Sequence, residues 1–238
     1  MNLSFIIPTH NEAAWLPHHL AALRASLQAT GLADVSEIIV VDAKSTDDTA
    51  KLAQAGGARV ITADEKQRAH QLNKGAREAA GETLVFLHAD TLVSPGWLRE
   101  LVDSISPATR AGWSKVEILV ETPTEDSHPL GLEVMQRGIN WRTRRFRSAT
   151  GDQGLFVDRE LFDQVGGFPE QPILEANVLA RRLRRHTNPA ILDVPLRISG
   201  RRWQRRGIFR TMVLMWTVRG LDRIGADPDS LAEIWANA

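Results

Sequence analysis

The chain has 238 residues, 43% of them hydrophobic and 24% charged, a mixture that excludes a disordered chain and is ordinary for a protein able to bury a core. Lys plus Arg and Asp plus Glu balance at 29 each, so net charge points to no class of partner. With no cysteine, disulfides, thiolate metal sites and cysteine nucleophiles are excluded, and 238 residues fit one domain.

Leu3–Pro8 is an apolar run of strand length. No basic segment precedes it and the run is too short for a signal peptide, so a cytoplasmic address is the default expectation. Glu12 to Gln28 carries Leu16, Leu20, Leu23 and Leu27 at helical spacing, which predicts a helix with one face on a sheet. Ile38–Asp42 reads as a second strand, Thr46–Ala55 as a helix closed by Gly56-Gly57, and Arg59–Thr62 as a third strand. Gln67–Ala80 follows as a helix ended by Gly81, and Thr83–Leu87 is a fourth strand running into His88-Ala89-Asp90. This alternation is the signature of βαβ units around a mostly parallel, doubly wound sheet, so the fold class is α/β. Ligands of such sheets bind beyond the carboxyl ends of the strands, where Thr9-His10-Asn11-Glu12, Asp42, His88 and Asp90 converge.

The second half is less regular. It predicts a strand at Lys115–Val120, a polar loop at Glu121–His128, a helix at Leu132–Arg145 and a loop over Thr150–Gly154. A short helix at Glu160–Val165, the turn Gly166-Gly167-Phe168-Pro169, a helix at Leu174–Arg185 and a strand at Ala190–Val194 follow, and the tail is helical. Arginines crowd between Arg137 and Arg223, which is either a set of solvated helix faces or a surface for phosphate groups or anionic lipid. Ile208–Val218 is apolar but holds Arg210 and ends at Arg219, well short of the ~20 residues a membrane span needs, so it can lie on a membrane but not cross one. Within it, Met215 and Trp216 read as core positions.

Two carboxylates stand out. Asp42, at the end of a strand, can accept from a base imide or ribose hydroxyls; equally, with Ser45, Asp47 and Asp48 it suits the start of the next helix. Asp90 is the best ligand for a hard divalent cation, and His88 can join it because alternate residues of an extended segment point the same way. No Gly-x-Gly-x-x-Gly follows the first strand, which disfavours a dinucleotide-dependent dehydrogenase. The acidic strand ends also speak against nucleic acid as a partner.

Ser4-Phe5-Ile6-Ile7-Pro8-Thr9-His10-Asn11-Glu12, then Val40-Val41-Asp42 with Ser45-Thr46-Asp47, then Phe86-Leu87-His88-Ala89-Asp90-Thr91, resemble the successive donor-site blocks of family 2 glycosyltransferases. Gly151-Asp152-Gln153-Gly154-Leu155-Phe156-Val157, Gly166-Gly167-Phe168-Pro169 and Arg201-Arg202-Trp203 resemble a bacterial subgroup found beside radical-enzyme and arsenosugar-type gene clusters. The resemblance implies a GT-A fold, a UDP-sugar or similar nucleotide-sugar donor, an Mg2+ or Mn2+ ion, an acceptor of unknown identity and inversion at the anomeric carbon. By position it implies that Pro8, Glu12 and Asp42 contact the nucleotide and that Arg68 and Asn73 face the donor. It makes Asp90 the metal-binding acid of an Asp-x-Asp motif whose first position is His88 here. Residues 1–91 would then be the nucleotide-sugar-binding half, 92–200 the acceptor side and 201–238 a basic, amphipathic helical tail.

The chain departs from the family pattern twice. Ala43-Lys44 follow Asp42 where the family turns on glycine. Near residue 175 the family places Glu-Asp, the Asp being the general base, whereas this chain reads Leu174-Glu175-Ala176-Asn177. Alanine takes no proton, which leaves Glu175 and Asp152 as candidate bases, or a protein that binds the donor and transfers slowly or not at all. Arg202 and Trp203, within Arg201–Arg206, are candidates to clamp a diphosphate; the alternative is a basic patch in peripheral contact with a membrane.

Overall fold

The computed structural model describes residues 1–119, 129–200 and 207–237. Four strands build the first half: β1 (Leu3–Thr9), β2 (Ser36–Asp42), β3 (Arg59–Thr62) and β4 (Thr83–Phe86). β1 pairs in parallel with both β2 and β4, and β2 with β3. Alternation along β1 sends Leu3, Phe5 and Ile7 to one face, against Leu16, Leu20, Leu23 and Leu27 of α1 (Leu16–Thr30) and Trp97, Leu98 and Leu101 of α4 (Pro95–Ser104). Ile6 points to the other face, where Ala69, Leu72 and Ala76 of α3 (Arg68–Glu78) cover it. Both faces are dry, which is why these strands read as unbroken apolar runs. α2 (Thr49–Ala55) adds Ala53 to the α1 side.

α3 lies so close to the sheet that a Cβ on Gly75 would sit 2.5 Å from Ile6 Cγ2 and 2.9 Å from Val41 Cγ2. Only glycine lets a helix backbone approach that near. α1 begins at Leu16 rather than Glu12, because Pro17 is tolerated only in a first turn; the Glu12 carbonyl instead accepts from Trp15 and Leu16 N–H at 3.1 and 3.0 Å.

The second half continues the same sheet with β5 (Thr91–Leu92), β6 (Ala111–Leu119), β7 (Leu155–Asp158) and β8 (Ala190–Ser199), giving the order β3-β2-β1-β4-β7-β6-β8-β5. β7 runs antiparallel between β4 and β6, β8 is parallel to β6, and β5 is antiparallel to β8. The sheet is therefore mixed. Sequence reasoning passes over β7 and α4: β7 is only four residues long, and α4 opens on Pro95-Gly96, which hides its periodicity. β8 continues past Val194 to Ser199 because Pro195 falls where the register with β6 shifts between Ser114 and Val116, a place where a missing N–H costs no ladder bond.

Five more helices follow among the described residues: α5 (Pro129–Phe146), α6 (Arg159–Gln164), α7 (Glu175–Leu183), α8 (Ile208–Arg223) and α9 (Pro228–Asn237). α6 and α7 cover the α3 side of the sheet through Leu161, Phe162, Leu179 and Leu183. α8 sets Ile208, Met212 and Met215 against Leu132, Met135 and Ile139 of α5, and Leu214 and Val218 against Leu231 of α9. Met215 is thus partly buried as expected, but Trp216 is 65% exposed and does not belong to the core: one residue along a helix turns the side chain by about 100°, out of the α5 seam. Among the described residues no helix is long and apolar enough to cross a membrane. The polar loop expected at Glu121–His128 lies outside the described residues.

Candidate active site

β2 and β3 lie on one side of β1 and β4 on the other, so the chain reverses its winding at β1 and leaves a crevice at the carboxyl ends of β1 and β4. A cavity of about 840 Å³ opens there. Pro8 to Glu12 form one wall, His88 to Asp90 the floor, Thr150 to Asp152 and Pro172 to Asn177 a second wall, and Met215, Val218, Arg219 and Trp235 a third. A smaller depression of about 380 Å³, between Arg145, Arg147, Arg184 and Pro189, lies by the start of β8 at the other end of the sheet and holds no carboxylate.

The wall formed by Pro8 to Glu12 is braced from behind. Buried Gln71 on α3 donates its amide to the carbonyls of Thr9 and Val41, at 2.9 and 2.7 Å, tying the ends of β1 and β2 together. Asn11 takes a left-handed φ of 56°, a conformation asparagine tolerates, and accepts at Oδ1 from Thr46 N–H at 2.9 Å. Lys44, where the family pattern has glycine, adopts φ 51° all the same, with its ammonium 3.6 Å from Asp64. The turn keeps the glycine-like geometry and carries the strain of a side chain.

Pro8 and Glu12 stand on the cavity wall. Asp42 stands behind it, 4% exposed: Oδ1 accepts from Thr9 and Ser45 hydroxyls at 3.1 and 2.5 Å, and Oδ2 from Ser45 N–H at 2.9 Å. Arg68 lines the cavity, but Asn73 does not face it. Asn73 donates to Phe168 O at 2.8 Å and accepts from Phe168 N–H at 2.9 Å, pinning the Gly166–Pro169 turn onto α3. It sits one and a half turns beyond Arg68, on a different face of the helix.

His88 Nδ1 and Asp90 Oδ1 lie 4.0 Å apart on the floor, both half-buried. The backbone of Gly151 closes over them; a Cβ there would come 2.9 Å from His88 Nε2. Among the described residues no group of three or more His, Cys, Asp or Glu could hold a metal ion. Two protein ligands nonetheless suit a cation such as Mg2+, which keeps several waters and binds through one or two carboxylates plus substrate phosphates. Asp90 and His88 fit that pattern, with room above them in the cavity.

Glu175 opens α7 from Leu174, which is held at φ 62°, and is 5% exposed; its Oε1 lies 3.7 Å from Arg68 Nη1. Ala176, although on the cavity wall, packs its methyl into the core with Leu179 and Ala180. Asp152 belongs to a single turn of 3-10 helix, Gly151–Gln153, closed by a capping box between Thr150 and Gln153. Gln153 anchors that turn by donating to Ser114 O and Thr143 Oγ1, each at 2.8 Å. The charge of Asp152 reaches Arg142 from α5 and Arg219 from α8. Burial, followed by the charge of Arg142, pushes the Arg219 guanidinium down to about 9 despite the opposing pull of Asp152. Burial also lowers Arg142.

Sequence reasoning does not single out Arg219, Lys66, Gln71 or Trp235 as site residues. A signal for Arg219 existed: it follows Met215 by four residues, so helical spacing puts it on the face that α8 turns inward. Arg202 and Trp203 lie outside the described residues.

Comparison with solved structures supports the fold. The chain is similar to the S. aureus TarS 1–349 structure in complex with UDP-GlcNAc, at 18% identity and a TM-score of 0.62, covering 84% of this chain and 58% of that one. It is also similar to the mannosyltransferase PcManGT from Pyrobaculum calidifontis in complex with GDP-Man and Mn2+, at 21% identity and a TM-score of 0.60, covering 92% and 60%. A third similar structure is glucosyl-3-phosphoglycerate synthase from Mycobacterium tuberculosis with Mn2+, UDP and glucosyl-3-phosphoglycerate, at 23% identity and a TM-score of 0.56, covering 83% and 70%. The chain thus spans less than two thirds of the length of the first and second of these. No curated protein matches the sequence. The model of the family described as Glycosyl transferase family 2 matches residues 4–159, the stretch that builds β1 to β4, the floor with Asp90 and the Asp152 turn, and by that match the chain belongs to glycosyl transferase family 2.

Proposed function

We propose that the protein transfers a sugar from a nucleotide-diphosphate donor, a UDP-sugar by preference, to a hydroxyl acceptor, with inversion at the anomeric carbon. One observation carries the reading: Asp90, Asp152 and Glu175, drawn from three separate parts of the chain, converge on one cavity at the switch point of the sheet. The similar structures hold UDP or GDP-sugars, two of them with Mn2+, and that chemistry suits this floor. We assign residues 1–91 to the donor half, 92–200 to the acceptor side and 201–238 to a tail whose Met215, Val218, Arg219 and Trp235 line the cavity.

The donor lies along Pro8 to Glu12, with Lys66 and Arg68 as the cations on that side. Asp42 acts through the loop it caps rather than by touching the nucleotide. Asp90 and His88 would hold an Mg2+ or Mn2+ ion, which when bound neutralises charge on the departing diphosphate. In this reading Glu175 takes the acceptor proton, Arg68 orienting its carboxylate, and Asp152, on the same wall, is the second candidate. Attack opposite the leaving diphosphate inverts the sugar carbon. The narrower likeness to a bacterial subgroup near arsenosugar-type clusters rests on the later sequence blocks alone.

Calorimetric titration with UDP and GDP, with and without Mn2+, tests the reading. Metal-dependent nucleotide binding in the natural protein and its loss in Asp90→Ala are expected; the same affinity in both would sink the assignment of the floor. A second reading, a nucleotide-sugar-binding protein with impaired transfer, is favoured by Ala176, whose methyl is built into the core where the family carries its base.

A membrane role for the tail also has a specific observation behind it. α8 exposes Phe209 (73%), Val213 (42%) and Trp216 (65%) in one stripe, spaced by four and three residues, with Arg210 and Arg223 on its flanks. We take this face to rest on an anionic bilayer surface, the arginines meeting headgroups and the aromatic rings entering the interface.

A further inference from the structure

The third wall of the cavity is more positive than the donor reading requires. Arg219 lines it beside Met215 and Trp235. Behind it, Arg142 has a buried Nε with no hydrogen-bond partner among the described residues, and its Nη2 reaches Gln153 Oε1 only at 3.4 Å. Elsewhere in this region arginines are matched: Arg68 faces Glu175 at 3.7 Å and Arg181 faces Asp222 at 2.5 Å. Among the described residues neither Arg142 nor Arg219 has a carboxylate within 4.0 Å, and Asp152 is the one acid whose charge both of them feel.

Two half-buried guanidiniums beside one carboxylate are costly to keep unless something else brings negative charge. The depressed Arg219 group is the physical trace of that cost. The donor diphosphate is a poor candidate for the missing charge, because the reading above already gives it Lys66 and Arg68 on the cavity lining. Arg219 comes from a separate element, the helix that carries Met215 and Val218.

We propose that Arg142 and Arg219 form an oxyanion site on the acceptor wall, and that the acceptor carries a phosphate group near the hydroxyl to be glycosylated. This rests on the glycosyltransferase reading above. Arginine forks match phosphate oxygens in pairs, and a phosphate brings the charge that Asp152 alone does not. The same chemistry comes from a soluble phosphate ester or from a lipid phosphate headgroup, which the exposed stripe of α8 would bring to the cavity mouth.

The test compares the natural protein with Arg219→Gln by calorimetry and thermal melting. Glycerol 3-phosphate or inorganic phosphate is expected to bind the natural protein and raise its Tm, and to bind Arg219→Gln at least tenfold more weakly, while UDP with Mn2+ binds both within twofold. Vesicles of phosphatidylcholine with and without phosphatidic acid separate the sources. Phosphatidic acid binding that depends on Arg219 assigns a lipid acceptor; binding of the soluble ester alone assigns a soluble one. Equal phosphate affinity in the two proteins overturns the site, as does absence of phosphate binding in any form. A tenfold loss of UDP affinity in Arg219→Gln also overturns it, by placing the arginine on the donor. If the natural protein binds no UDP yet binds phosphate through Arg219, the transferase reading falls and the oxyanion site stands. Should Arg219→Gln not fold, Arg219→Lys replaces it: losing the fork is expected to weaken phosphate binding severalfold, and unchanged affinity overturns the site.

Discussion

In the transferase reading proposed above, the residue that decides between transfer and mere binding is Glu175. It is buried at the start of α7, its carboxylate opposite Arg68, whereas the neighbouring Ala176 turns its methyl into the core. Removing a general base costs about 10²–10⁴ in rate. Glu175→Gln keeps the shape and is expected to lower kcat by that factor with UDP affinity unchanged; an unaltered kcat would move the role to Asp152, for which Asp152→Asn is the matching measurement. Activity too low to detect in the natural protein, with normal nucleotide affinity, would favour the binding-only reading. At this scale the sequence was legible where chemistry is local. Asp90 and His88 stand on the floor where their spacing puts them, and Glu12 and Arg68 reach the cavity wall. Asn73 was not, because whether a helical polar residue meets a ligand or a neighbouring turn depends on what packs beside it, and here Phe168 does.

At the scale of elements, periodicity located the first four strands and three helices to within a few residues, since a sheet covered on both sides demands apolar runs separated by amphipathic helices. The price of that tight layering is visible at Gly75, whose missing side chain lets α3 sit on Ile6 and Val41. Both neighbours are β-branched and fully buried, so neither yields easily. Gly75→Ala is expected to destabilise the protein by about 1–3 kcal/mol, the range for overpacking a filled core, read from urea unfolding. Because α3 also carries Gln71, the same variant should weaken UDP binding by displacing the carbonyls of Thr9 and Val41. β7 escaped the pattern because its place is set by pairing with β4, 69 to 75 positions away, and with β6, 44 to 46 positions away, which no local period records.

For the whole molecule, the question is how the cavity meets its acceptor. α8 packs one face against α5 and α9 and turns Phe209, Val213 and Trp216 outward, with Arg219 directed at the cavity. One helix therefore joins the exposed stripe to the acceptor wall. Co-sedimentation with vesicles containing phosphatidylserine should deplete the natural protein from solution, and Phe209→Ser with Trp216→Ser should abolish that while leaving UDP affinity intact. Equal sedimentation of both proteins would refute the membrane-facing role, and binding to neutral vesicles alone would remove the part assigned to Arg210 and Arg223.

Sequence by itself determined the α/β class, the order of the donor-side elements and the acids that stand at the strand ends, because each follows from local periodicity and from the rule that strand ends face the crevice. Tertiary structure alone decided that the sheet is mixed, that Asp42 braces a loop, that Trp216 is exposed and that Arg142, Arg219 and Asp152 come within reach of one another's charge. Those outcomes depend on which helix face meets which neighbour. A difference of one residue, about 100° of helix, separates Met215 in the packed seam from Trp216 in solvent, and only the packing of α8 against α5 says which is which.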